Sequence, residues 1–318
     1  MKKLAVTIIG WIVSIALIAA LAARLDWHTI AAGLVRARWS MLALAAILNI
    51  GVVALKALRW QWLMGAAKGP GFPAIFNATM IGLAGNNVMP VRGGDWLKIY
   101  LLGKWARTSK AALASITGLD KLFEAMSILV LFGALSFHST FPEWVQRGTL
   151  IVSIVTAVSL AICILLLMHH RKSQRIGSDS AGRISRIASA LGSGMEMLSR
   201  KHMIAATLIL SIISCLAQIG TIILCQKAFG LQLDIWMPAI VFVAINLAII
   251  IPSAPSGVGP FEAAAVLAYT WLGLSPESAF NIALVYHAVQ FIPVTAIGAA
   301  LYFKEISGSK RRKIEREP

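Results

Sequence analysis

The stretch N-N-V-M-P-V-R-G-G-D-W, Asn86 to Trp96, lies between two apolar runs in a chain that is mostly apolar. It holds two amides, a proline, an arginine, two glycines and an aspartate. Two readings are open. It is a surface turn in which Arg92 and Asp95 pair on one helical turn, or a break at membrane depth where something polar binds.

The composition favours a membrane setting. Of 318 residues, 58% are hydrophobic and 13% charged, and the mean hydropathy is +0.78. Soluble domains carry about 25% charged residues. The apolar runs reach the ~20 residues that cross a bilayer as a helix. They cover 4–23, 40–55, 72–89, 108–136, 149–168, 202–225, 237–251, 259–272 and 279–303. The first reads as a transmembrane helix rather than a cleaved leader. The net charge of +16 sits in short connections and in the tail K-R-R-K-I-E-R, as on the cytoplasmic side of a membrane protein. No aromatic-interleaved basic module points to nucleic acid. Cys163, Cys215 and Cys225 lie within apolar runs and read as free thiols.

Counting Lys and Arg sets the topology. Residues 169–201 hold seven and the tail from Lys304 six, so both read as cytoplasmic, as do 56–71 with three and 90–110 with five. Residues 137–148 and 226–236 hold one each and 272–278 none, so these read as external. The run at 72–89 must then enter from the cytoplasm and return, and 237–272 must enter from outside and return. The expected fold is an all-α polytopic membrane protein with about six transmembrane helices and two oppositely oriented re-entrant helical hairpins. It forms one domain, 1–303, of inverted halves 1–137 and 148–303, followed by a basic tail, 304–318. Both termini are expected in the cytoplasm. Residues 24–39 carry Arg24, Arg36 and Arg38 yet count as external. They read as an interfacial helix with Trp27, Ile30, Ala31, Leu34 and Trp39 on one face. Residues 183–199 read either as a basic amphipathic helix or as a linker.

The two breaks match. Pro90 precedes Gly93, Gly94 and Asp95, while Pro255 precedes Gly257, Gly259 and Glu262. Interrupted segments in corresponding positions of inverted halves mark a midplane site. Helices starting at Gly94 and Gly259 are expected to aim free N–H groups at a central cavity. Arg92 suits a phosphate, and Asn86 and Asn87 offer hydrogen bonds. Asp95 and Glu262 read as helix-dipole partners or as coupling groups. Asp120, Lys121 and Glu124 lie inside an apolar run, where ionisable groups are costly and usually functional. Lys56 and Arg59 read as a helix-end marker or a head-group contact. His287 and Gln290, three apart, read as hydrogen-bonded packing or a proton relay. No metal or cofactor motif appears, and none is expected.

The motifs N-N-V-M-P-V-R-G-G-D-W-L-K, D-K-L-F-E and P-S-A-P-S-G-V-G-P-F-E resemble the transmembrane domain shared by lysylphosphatidylglycerol synthases and stand-alone flippase-like proteins. The resemblance spans nearly the whole chain. It implies a lipid flippase in a bacterial inner membrane, without the soluble synthase domain. It also implies an anionic lipid as substrate and envelope-biosynthesis enzymes as possible partners. Three departures stand out. Asp95 and Lys98 replace the family's usual Glu and Arg, Lys121 follows Asp120 where Arg is usual, and Tyr286-His287 lie where the last helix usually has an arginine. The expectation is a transporter rather than an enzyme. Phosphate would sit between the hairpin tips, on Arg92, Lys121 and Arg59. The alternatives are a lipid-modifying transferase and a non-transporting subunit of an envelope complex.

Overall fold

The computed structural model describes residues 2–65, 70–106, 108–137, 140–176, 191–251 and 253–314. Among them no strand occurs, and eleven helices of ten or more residues follow one another. These are α1 Lys2–Ala22, α2 Trp27–Arg36, α3 Trp39–Leu63, α4 Phe72–Val88, α5 Gly93–Ala106, α6 Lys110–Ser136, α7 Glu143–Ile176, α8 Lys201–Ala228, α9 Trp236–Ala248, α10 Pro260–Trp271 and α11 Pro276–Ile314. The chain is an all-α polytopic membrane protein. The helices α3, α7, α8 and α11 are each long and apolar enough to cross a bilayer. The pair α1–α2, bent by 91°, is apolar enough to be a broken span or a re-entrant loop. The helix α6 has 27 residues, about 40 Å at 1.5 Å each, but carries three charges near its middle and is not among these apolar spans.

The bend between α1 and α2 has a local cause. Asp26 caps α2, accepting from the His28 N–H at 2.9 Å and the Thr29 hydroxyl at 2.7 Å. α2 then crosses α11 and buries Ile30. Of the face expected there, Ile30 and Leu34 pack inward and Trp27 and Ala31 stay exposed, while Trp39 belongs to α3. Elsewhere exposed apolar side chains such as Ile12 and Ile15 on α1 and Ile151, Val155 and Leu165 on α7 form surfaces fit for lipid.

At the centre, α3 and α8 run antiparallel. The Arg38 N–H donates to the Ala228 carbonyl at one end, and Arg59 reaches Ser211 further along. The two hairpins, α4–α5 and α9–α10, start from opposite ends of this pair. The α3 chain leaves at Leu63 for Phe72, and the α8 chain leaves at Ala228 for Trp236. Each hairpin turns through a short 3-10 segment opened by proline, Pro90–Arg92 in one and Pro255–Gly257 in the other. Each turn forces a non-glycine residue into the left-handed region: Arg92 at φ 52° and Ser256 at φ 64°, the two such residues among those described. The two turns touch each other.

Close approach at the first hairpin explains its glycines. A Cβ on Gly94 would lie 1.8 Å from the Gly82 carbonyl, and one on Gly85 would lie 2.8 Å from the Gly94 Cα. Helices without side chains at the crossing pack backbone to backbone. On α11, Pro293 lacks the N–H that would bond the carbonyl four residues back. Asn49 on α3 takes that place, donating to Val289 O at 3.4 Å. A proline break at depth survives because a neighbouring helix pairs the freed group.

Two expected boundaries move. The run at 40–55 extends to Leu63, so Lys56 and Arg59 lie inside α3 rather than at its end. The last run extends from Pro276 to Ile314. Of the amphipathic helix considered at 183–199, residues 183–190 lie outside the described set, and Glu196–Ser199 form a 3-10 turn.

Candidate functional site

The first elbow is built from α4 and α5. Asn86 Nδ2 donates to Asp95 Oδ1 at 3.0 Å, and the Asp95 N–H donates back to Asn86 Oδ1 at 3.2 Å. Asn86 and Asp95 therefore lock the hairpin to itself. Of the two readings open for this stretch, the turn in which Arg92 and Asp95 pair does not form, and the buried Arg92 of the other is corrected as well. Arg92 is exposed, and its Nη2 reaches the Ile249 carbonyl of the second elbow at 3.5 Å. Asn87 donates to Thr295 Oγ1 at 2.8 Å, which ties the elbow to α11. Gly94 is buried between α4 and α5, so its role is packing. Pro90 opens the turn, and the Gly93 N–H bonds the Pro90 carbonyl.

The second elbow is more tightly closed. The Gly259 N–H donates to Glu262 Oε2 at 2.8 Å. The expectation of a free helix N-terminus there is corrected, since a carboxylate of the same helix already fills it. The other oxygen, Glu262 Oε1, takes His287 Nδ1 at 2.5 Å. Ser256 Oγ meets His287 Nε2 at 2.9 Å, and the Phe261 ring stacks on the imidazole at 4.3 Å. The first helix seals the far side. Ser14 donates to the Val258 carbonyl at 2.6 Å and accepts from the Ala254 N–H at 2.8 Å. Gly10, one turn earlier, lies against Ser253 with no room for a Cβ.

Between these elbows and α6 lies a cluster of charges. Arg59, fully buried, binds Asp120 Oδ1 through Nε at 2.7 Å and donates to Ser211 Oγ at 3.0 Å. Its Nη2 stands 3.2 Å from Glu124 Oε1. Glu124 also pairs with Lys56 at 2.9 Å and Lys121 at 3.3 Å. Asp120 and Glu124, four apart on one face of α6, thus hold three cations from two helices. Lys98 on α5 is buried with its ammonium 3.7 Å above the Trp60 ring, a cation–π contact. Among the described residues no carboxylate comes within 4.0 Å of it. Lys56, Lys98, Lys121, Asp95, Asp120, Glu124 and Thr79 line a small pocket, with Arg59 immediately behind. Counting Arg59, that is formally four positive charges against three negative. The Thr79 hydroxyl, buried on the pocket wall, has no hydrogen-bond partner among the described residues.

A second cavity of about 150 Å³ adjoins the first and shares Lys56 and Leu83 with it. Its polar wall is Asn49, Asn87, Gln218, Ser256, His287 and Gln290. The two together run from the charged cluster on α6 to the second elbow.

The structure therefore gathers most of the residues singled out from sequence, with changed roles. Lys121, Asp120, Glu124 and Arg59 meet in one cluster, but Arg59 is spent on carboxylates rather than open to a ligand. His287, Glu262 and Gln290 meet at the second elbow. Pro255 and Gly257 (φ 79°) shape the turn there. Sequence reasoning missed Lys98, Thr79, Asn49, Ser256, Gly10 and Ser14. A signal existed for the last two: Gly10 and Ser14 form a small-xxx-small pair in an apolar helix.

The described residues thus define a membrane-embedded helical protein with a charged, polar interior at the meeting point of two hairpins. The family described as lysylphosphatidylglycerol synthase TM region matches residues 7–298, and the chain belongs to it. Two relatives, each called UPF0104 membrane protein, come from Methanothermobacter thermautotrophicus. One is 24% identical over 281 residues, covering 81% of this chain and 83% of its own. The other is 26% identical over 281 residues, covering 83% of each. No solved structure matches.

Proposed function

We propose that the protein moves a phosphate-bearing lipid, a phospholipid or a polyprenyl-phosphate-linked lipid, between the leaflets of a cell inner membrane. The observation that carries this reading is the cation-rich pocket bounded by Lys56, Lys98 and Lys121, with its unpartnered Thr79 hydroxyl, opening into the longer polar cavity. A formal excess of one positive charge beside a free hydroxyl suits a phosphate. Burying these charges is costly in hydrocarbon, and such costs are tolerated mainly where function needs them. The acyl or prenyl chains stay in the bilayer while the head group passes. Arg92, exposed beside the first elbow, offers a first contact for the phosphate. Alternating access follows from rocking one half against the other about the touching elbows. The Lys and Arg distribution supports cytoplasmic termini.

The test is reconstitution in liposomes with fluorescent phosphatidylglycerol, reading how fast the outer-leaflet pool becomes accessible to a membrane-impermeant quencher. Lys121→Gln, Lys56→Gln and Arg92→Ala are each expected to slow translocation roughly tenfold, the scale of one lost charge-assisted contact. Unchanged rates in all three overturn the reading.

A further inference from the structure

The second elbow contains a hydroxyl, an imidazole and a carboxylate in series. Ser256 Oγ lies 2.9 Å from His287 Nε2, and His287 Nδ1 lies 2.5 Å from Glu262 Oε1. An ionised carboxylate only accepts, so Nδ1 donates to Glu262, and in the neutral imidazole Nε2 accepts from the serine. That is the tautomer a general base needs. Glu262 is itself fixed, because its second oxygen holds the Gly259 N–H at 2.8 Å. Phe261 stacks on the ring and restricts its rotation. Ser256 sits at φ 64°, a backbone state uncommon outside glycine and concentrated at functional sites. Both Ser256 and His287 face the 150 Å³ cavity. Packing alone would satisfy the imidazole without placing its hydroxyl partner at a strained turn on a cavity wall.

We propose that Ser256 is a nucleophile, with His287 as its general base and Glu262 as a positioning residue, acting on the acyl ester of a phosphate-bearing lipid. The substrate assignment rests on the transport reading for its cationic end: phosphate held near Lys56 leaves the ester carbonyls toward the elbow. In the step, the Ser256 oxygen bonds the carbonyl carbon and its proton passes to His287 Nε2. The bond to the glycerol oxygen breaks, and that oxygen takes the proton from His287. Water then attacks the acyl-serine, again giving its proton through His287, and Ser256 is restored as the fatty acid leaves. Gln290, one turn from His287, lines the same cavity and offers its amide as a donor for the developing oxyanion.

The test uses the full chain in phosphatidylglycerol nanodiscs with an alkyl fluorophosphonate, a serine-directed probe whose tail enters the bilayer. The expected result is a single adduct on the peptide containing Ser256. Ser256→Gly removes the hydroxyl while suiting the positive φ, so the fold survives and the adduct is lost. His287→Asn is expected to slow labelling roughly 100-fold. Glu262→Gln should lower the maximal labelling rate and leave the probe's half-saturating concentration unchanged. Release of fatty acid from the nanodisc lipid, absent in Ser256→Gly, identifies the ester as substrate. No adduct at Ser256, or one formed equally fast without His287, overturns the nucleophile, and an adduct without fatty-acid release overturns the lipid ester. The probe needs no anionic head group and no leaflet crossing, so its reaction fails or succeeds independently of translocation.

Discussion

The two hairpins carry the same punctuation and use it differently. In each, a proline opens a 3-10 turn, a non-glycine residue takes positive φ, and an acid falls in the first turn of the returning helix. In the first, the acid turns inward on its own hairpin: Asp95 bonds Asn86, and the helices close on Gly82, Gly85 and Gly94. In the second, Glu262 caps its own helix and reaches out to His287 on α11. The first elbow spends its acid within its own hairpin, is tied to α11 through Asn87, and leaves Arg92 exposed. The second is wired to α1 and α11 and leaves a polar triad on the cavity. Equivalent positions in an inverted pair thus need not do equivalent work.

The sharpest way to break the comparison is at the glycine crossing. Gly94→Val should prevent the first hairpin from closing, since even a Cβ would meet the Gly82 carbonyl at 1.8 Å. A loss of about 3 kcal/mol or more is expected, beyond the usual cost of overpacking. It should appear as loss of monodisperse protein after detergent extraction. In the second hairpin Gly257→Ala meets only Ile249 at 3.3 Å and pays for its φ of 79°. It should cost about 1–2 kcal/mol. Equal losses would mean the first crossing is not backbone-limited.

The acids come next. Glu262→Ala strips a buried partner from His287 and a cap from Gly259, and should cost about 3 kcal/mol in thermal or denaturant unfolding. Asp95→Ala loses the half-buried bond from Asn86 Nδ2 to Asp95 Oδ1, keeps the one from its own backbone N–H to Asn86 Oδ1, and should cost about 1 kcal/mol. The reverse order would show that the first elbow, not the second, carries the wiring.

How much of this was legible in the sequence depends on distance along the chain. The elbows were legible because proline, glycine and acid act on their own neighbours. The hairpins followed from counting Lys and Arg between apolar runs. That same count treated Arg59 and Lys98 as loop charges, whereas both are buried. Nothing local marks them, because their burial depends on segments far away: Arg59 is matched by Asp120, 61 residues on, and Ser14 by Val258, 244 residues on. Asn49 was invisible for the same reason. Its purpose appears only when the carbonyl freed by Pro293 is found beside it.

The smallest effect concerns Arg92 at the tip of the first hairpin. Arg92 sits at φ 52°, is exposed, and makes one long contact, 3.5 Å, to Ile249 O. Arg92→Gly relieves the left-handed backbone while adding chain freedom to the unfolded state, and these oppose each other. Stability should change by less than about 0.5 kcal/mol. Lipid translocation should nevertheless fall, because the guanidinium is lost from the mouth of the elbow. Arg92→Lys, which keeps the charge but not the planar fork, should lie between. A large stability loss in Arg92→Gly would instead make Arg92 the clasp that holds the two elbows together. The first hairpin would then be as structurally wired as the second, and the contrast between them would disappear.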